Sequence, residues 1–265
     1  MHGFYRTAAA VPETKVADIA FNLARMKELV REATKNSAAL VVFPELSITS
    51  YTCADLFQQA RLVKNALSAV QDLADFAKRM DIVIVAGAPL LHRSRLYNCA
   101  FVLQKGKIRG IVPKTYNPNY REFYEKRWFT SGKKFRNDTV PVGRSDIPFG
   151  RNLVFECDGN FKIAVEICED LWNVIPPSSY HAIAGATIIA NLSASNELVG
   201  KHEYRRDLVR QQSARCVAGY VYASAGTGES TTDLVYGGHA MIAENGTMLA
   251  ENDRFQRSNE ILFAD

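Results

Sequence analysis

An α/β domain, with helices set among both parallel and hairpin-paired strands, is the fold class that this 265-residue sequence predicts. Three observations carry that expectation. Short β-branched apolar runs alternate with segments of helical periodicity, the order found in βαβ units. Some of these runs stop at a proline, where a buried strand must leave its ladder. Two tight turns, at Lys105 with Gly106 and at Asn245 with Gly246, each separate a pair of apolar runs and so predict hairpins. No low-complexity linker or short-period repeat interrupts the chain, and residues 1–265 read as one domain.

The elements follow in order. A first strand is expected at residues 5–10, then a helix capped by Thr14, whose Val16, Ile19, Leu23, Met26, Val30 and Ala33 share one stripe at helical spacing. LVVF at 40–43 is a buried strand that stops at Pro44. A second helical stretch covers about 54–79, and IVIVAG at 82–87 is another buried strand. NCAFVLQKGKIRGIVPK reads as a hairpin. Residues 115–150 are aromatic, charged and turn-rich, which predicts long excursions over a surface or cleft. Regular order resumes with a strand at 161–167, a helix at 178–186 and a strand at 187–192. Residues 202–218 read as a polar helix, 220–225 as a strand, and AMIAENGTMLAEN as the closing hairpin.

Composition narrows the function classes. A content of 47% hydrophobic and 23% charged residues suits a domain with a substantial core. A net charge of +4 is too small to call for a nucleic-acid partner. Five scattered cysteines (Cys53, Cys99, Cys157, Cys168 and Cys216) show no CxxC or Cys/His spacing, so no metal site is expected. His181, His202 and His239 are isolated and read as hydrogen-bonded structural residues. The apolar runs are too short to span a bilayer, and the first residues lack the apolar region of a signal peptide. No membrane partner is expected, and the reducing cytoplasm is the expected compartment.

Three residues stand where chemistry gathers in such folds. Cys168 follows the strand ending at residue 167 and precedes a turn into helix, so the N–H groups just after it point at a developing oxyanion. Its neighbours Glu166, Glu169 and Asp170 disfavour a thiolate, so activation has to come from elsewhere. Glu45 sits directly after LVVF and Pro44, between apolar neighbours that suit a general base. Lys114 ends IVPK, again just past a proline. A base, a cation and a nucleophile at three strand exits form a more specific signal than any one of them.

The motifs FPEL at 43–46, PKTYNPNYREFYEKRWF from Pro113 and EICEDLW from Glu166 resemble the nitrilase superfamily, which uses a Glu–Lys–Cys triad. SYTCADLF, NYREFYEKRWF, ICEDLW, ANLSAS and GTGESTTDL are similar to the glutaminase domain of glutamine-dependent NAD synthetases, over nearly the whole chain. The resemblance implies an αββα sandwich of two mixed sheets and a homo-oligomer packed through its helices. It implies Glu45 as general base, Lys114 as electrostatic stabiliser and Cys168 as nucleophile in the hydrolysis of glutamine to glutamate and ammonia. It further implies Tyr51, Tyr120, Glu125, Glu169, Trp172, Ser195 and Lys201 as residues that wall the pocket or hold glutamine's charged groups.

This sequence departs from the resemblance in places. Lys201 stands where many relatives carry arginine, and Ser50 where glycine is common. No SGGxDS-type pyrophosphate loop and no GxxxxGK(S/T) motif is present, and in GTGES at 226–230 a strand-exit loop is the stronger reading over phosphate binding. The expectation is that ATP and magnesium belong to a C-terminal synthetase domain absent from this chain, which itself needs no cofactor. Two alternatives remain open: a free-standing nitrilase-type amidase for another small amide, and an RNA- or protein-binding module built on KTYNPNYREFYEKRW, where Glu122 and Glu125 dilute the basic and aromatic residues.

Overall fold

The computed structural model describes residues 3–135 and 138–265. In chain order the regular elements begin with β1 (Thr7–Val11), α1 (Ile19–Lys35), β2 (Leu40–Val42), α2 (Ala60–Phe76), β3 (Val83–His92), β4 (Arg95–Gln104) and β5 (Lys107–Pro113). They continue with β6 (Asp138–Val142), β7 (Ser145–Phe149), β8 (Val154–Asp158), β9 (Phe161–Ile167), α3 (Glu169–Trp172), α4 (Pro177–Ile183) and β10 (Ile188–Ser193). The last are α5 (Lys201–Cys216), β11 (Gly219–Ser224), β12 (Ala240–Glu244), β13 (Thr247–Glu251) and β14 (Glu260–Ala264).

Among the described residues these strands form two mixed sheets. One has eight strands in the order β14-β1-β2-β3-β4-β5-β7-β6, the other six in the order β13-β12-β11-β10-β9-β8. Parallel pairing joins β1 to β2, β2 to β3, β5 to β7, β9 to β10 and β10 to β11, while hairpins supply antiparallel neighbours such as β3 with β4 and β8 with β9. Period-two alternation then divides the core. Ala9, Leu40, Val42, Val83 and Val85 face Val165, Ile167, Ala190, Leu192 and Val221 between the sheets. The other face of the larger sheet packs on α1 and α2 through Met26, Val30, Val41, Val70 and Ile84. The outer face of the smaller sheet packs on the α5 layer through Val209, Tyr220 and Tyr222. The result is the expected αββα sandwich.

Several boundaries move for physical reasons. Thr14 does not cap α1: its hydroxyl turns back to Pro12 O at 3.2 Å, and Asp18 caps instead by accepting from Phe21 N–H at 3.0 Å. Val16 therefore lies before the helix. The stretch expected as one helix from residue 54 divides into a 3₁₀ turn at Ala54–Gln58 and then α2. Residues 115–150 hold the expected excursions only in part, since β6 and β7 form a hairpin at the sheet's edge. Pro141 and Pro148 disguise these strands; Pro141 lies in the edge strand β6, and Pro148 in β7 precedes the single residue, Phe149, at which β7 meets β5. β8 and β14 also lie outside the expected elements; β14 pairs antiparallel with β1 at the rim of the larger sheet.

Candidate active site

Glu45, Lys114 and Cys168 leave β2, β5 and β9 at the same end of the sandwich, the first two from the larger sheet and the third from the smaller. Glu45 is drawn towards the opposite sheet because its N–H donates to Ser193 O at 3.2 Å. That turn is possible because Gly87 lies beneath it: a Cβ there would sit 2.2 Å from Leu46 N. Cys168 donates its N–H to Leu192 O at 2.9 Å and holds φ +47° with ψ −99°, a conformation that disfavours any residue with a Cβ. As α3 begins at Glu169, the first N–H groups of that turn lie beside the thiol without an intrahelical acceptor.

The Lys114 ammonium is the centre of the arrangement. It is 1% exposed and donates to Glu45 Oε1 and Glu125 Oε1, both at 2.6 Å. Asn98 Nδ2 adds a 2.6 Å bond to Glu45 Oε1, and the Tyr51 hydroxyl donates to Glu125 Oε1 at 2.8 Å. Each carboxylate keeps its second oxygen, Oε2, buried and without a hydrogen-bond partner. Burial pushes Glu125 up to about 7, against the pull of Lys114. Burial, then the Glu45 charge, pushes the Cys168 thiol well above its usual range, and Lys114 only partly offsets them. The resting cysteine is therefore neutral, and attack requires a base to take its proton.

Cys168 opens into a cavity of about 410 Å³ shared with Tyr120, Glu169, Trp172, Ser195 and Lys201. Two opposite charges face it. The Tyr120 hydroxyl holds Glu169 with bonds of 3.0 and 3.1 Å to its two oxygens. Lys201 hydrogen-bonds to Asn196 and lies 5.3 Å from the Trp172 ring centre and 5.5 Å from that of Phe123. Burial lowers the Lys201 ammonium and raises the Glu169 carboxyl.

Two of the residues expected to wall the pocket sit elsewhere. Glu125 and Tyr51 lie behind Lys114, tied to one another, and Tyr51 lines a second cavity of about 210 Å³ with Tyr236 and Trp128. Local sequence could not show that the excursion carrying Glu125 folds inward. Asn98 was also missed, because inside a hairpin an inward asparagine has no distinguishing pattern. Glu229, in GTGES, is a further omission: its carboxylate accepts from Tyr51 N–H at 2.7 Å, Thr52 N–H at 2.9 Å and the Thr52 hydroxyl at 2.5 Å. That loop shapes the site. Gly228 (φ +107°) is required because a Cβ would stand 1.9 Å from Thr14 O.

Among the described residues, His202, His239 and Glu251 bring potential ligand atoms within 4.8 Å. Arg205 Nε donates to His239 Nδ1 at 3.0 Å, so the ring carries its proton on Nε2, which faces Glu251 Oε1 at 3.0 Å. Burial and the Arg205 charge hold His239 down to about 4. Arg205, His239 and Glu251 thus form a hydrogen-bonded chain, with His202 Nε2 standing 3.9 Å from Glu251 Oε1.

Comparison with known proteins fits this geometry. The pattern of the family described as "Carbon-nitrogen hydrolase" matches residues 6–265. A glutamine-dependent NAD(+) synthetase from Mycobacterium tuberculosis is 45% identical over 100% of this chain, which spans 39% of that relative's length. The human glutamine-dependent NAD(+) synthetase is 30% identical over 93% of the chain and 36% of its own length. Among solved structures, a glutamine-dependent NAD(+) synthetase from Cytophaga hutchinsonii superposes with a TM-score of 0.89 at 29% identity, covering 98% of this chain and 42% of that one. An amidase from Nesterenkonia sp. AN1 shares the fold, with a TM-score of 0.77 at 17% identity over 99% of this chain and 92% of its own.

Proposed function

We propose a glutamine-hydrolysing function for this chain, which belongs to the carbon-nitrogen hydrolase family. The observation that carries the reading is the cavity over Cys168, where Glu169 and Lys201 present opposite charges above a buried Glu45–Lys114 pair. A free glutamine has an ammonium and a carboxylate at one end and an amide at the other. The chemistry of this cavity matches that zwitterion, with the amide carbon directed at the thiol.

The reaction then follows from the residues. Glu45 Oε2, which has no donor in the resting site, takes the Cys168 proton as sulfur attacks the amide carbon. The resulting oxyanion is stabilised by the Lys114 ammonium and by the N–H of Glu169. Glu45 returns the proton to the departing nitrogen, so that ammonia and a γ-glutamyl thioester form. Water, deprotonated by the same carboxylate, cleaves the thioester to glutamate and restores the thiol. Because the thiol starts neutral, proton transfer and attack are coupled.

The ammonia is assigned to a synthetase partner that amidates deamido-NAD to NAD and holds the ATP and magnesium, whether on the same polypeptide or another. Copies of this chain are assigned to pack through the α4–α5 layer, a reading supported by Val174, Ile183 and Val217, which are 94%, 85% and 76% exposed there. No helix among the described residues is long and apolar enough to cross a membrane.

Labelling with a glutamine-mimicking diazo-ketone, followed by peptide mapping, tests the assignment. The expected result is modification confined to Cys168 and blocked by glutamine. Labelling spread over Cys53, Cys157 and Cys216, or unaffected by glutamine, would sink it.

A further inference from the structure

The motif around Cys168 is acidic at three positions, and the fold sends each acid to a different place. Glu166 turns to the helix-covered face of the smaller sheet, accepting from Ser178 N–H at 2.8 Å and from the Tyr220 hydroxyl. Glu169 faces the cavity. Asp170 does neither. It is 1% exposed, and its compensation comes from backbone N–H groups. Oδ1 accepts from Thr115 N–H at 3.1 Å and Tyr116 N–H at 2.8 Å, and Oδ2 from Ile167 N–H at 2.9 Å, sharing Thr115 at 3.3 Å. Those donors are the residue just before Cys168 and the two just after Lys114.

We propose that Asp170 is a positioning residue that clamps the β9–α3 elbow to the exit of β5 and so sets the spacing between the Cys168 thiol and the Lys114 ammonium. The inference rests on the reading of Cys168 as nucleophile. The two side chains come from different sheets, which meet through apolar packing rather than a shared hydrogen-bond ladder. Neither ladder fixes their separation. Glu45 is tied across the gap by its own N–H to Ser193 O, whereas Lys114 N–H is bonded within its own sheet, to Asn98 O at 2.8 Å. The Asp170 carboxylate supplies the missing tie for the lysine. It also restrains the strained elbow, alongside the bonds from Cys168 N–H to Leu192 O and from Leu171 N–H to Cys168 O. Only a carboxylate of this length fits, because an asparagine turns one end into a donor facing N–H donors, and a glutamate adds a methylene.

Asp170→Asn and Asp170→Glu, made in this chain, test the proposal through thermal melting, glutamine hydrolysis and the pH profile of Cys168 alkylation by iodoacetamide. A folded variant is expected to keep its KM within about threefold and to lose about 100-fold in kcat, the scale of a small misplacement of reacting groups. Its alkylation midpoint is expected to move by about half a pH unit or more, upward as Lys114 withdraws and downward as the elbow opens to water. An unchanged alkylation profile in a folded variant overturns the proposal. Failure of both variants to fold overturns it too, since the acid would then serve the fold rather than the spacing. Alkylation needs no turnover, so the two readings fail separately: hydrolysis that survives Cys168→Ala removes the nucleophile, whereas an alkylation profile indifferent to Asp170 removes only the clamp.

Discussion

Among the described residues, the buried charge clusters around Arg205 and Lys114 are completed differently. Around Arg205 the hydrogen bonding closes. Its guanidinium donates to His239 Nδ1 at 3.0 Å, Ser195 Oγ at 3.1 Å and Glu197 Oε1 at 2.6 Å, and the other oxygen of Glu197 takes Arg254 at 2.8 Å. Around Lys114 two carboxylates share one ammonium, and each leaves an oxygen without a donor. A buried acceptor left unpaired costs about 1–3 kcal/mol. The Arg205 cluster fixes the shape of the protein beneath α5, while the Lys114 cluster holds an acceptor ready for a proton. The contrast teaches that a gap in a buried network can matter as much as a bond.

Substitutions can break this contrast from either side. The largest effect is expected for Glu45→Gln, which removes the proposed proton acceptor: kcat for glutamine falls by about 10³–10⁴-fold, measured in steady state. Its melting temperature should not drop, because Lys114 keeps Glu125 as a one-to-one partner. Arg205→Met should do the reverse. It strips the closed cluster of its buried central cation and lowers stability by about 3 kcal/mol, read by denaturant unfolding, while turnover per folded molecule changes by less than about tenfold.

A smaller effect is expected through pH. Glu125 is pushed up to about 7 in the fold, from an ordinary carboxyl value of 4.5. The folded state therefore holds that proton more tightly than the unfolded chain does. The stability linked to it is complete below the unfolded value and is lost as pH rises through the folded one. Glu125→Gln should flatten the fall in melting temperature between about pH 5 and pH 8. An unchanged slope would show that the proton resides elsewhere in the cluster.

Much of this molecule is legible in its sequence, for reasons that particular residues show. An apolar run followed by proline marks the end of a buried strand, so Pro44 and Pro113 place Glu45 and Lys114 at strand exits, where the structure also has them. Helical spacing locates α1, but its first turn depends on which polar side chain reaches the free N–H groups, and Asp18 rather than Thr14 does so. Pairing between distant segments leaves little trace. β14 completes the larger sheet beside β1 from the far end of the chain, and nothing local to Glu260–Ala264 announces it. The same holds inside the site. Asn98, Glu125, Asp170 and Glu229 have partners that only the fold brings to them, and the expectation that Glu169 and Lys201 hold a zwitterion rests on the family resemblance.

The backbone of Cys168 has a consequence for how such a protein can change. Its φ and ψ lie near the first central position of a type II′ turn, a place that glycine normally occupies. Mutation to glycine would relax the elbow and silence the thiol in the same step. A lineage, or a laboratory screen, selected only for endurance to heat would drift towards discarding the proposed nucleophile. On the mechanism proposed above, keeping cysteine there requires selection for its chemistry.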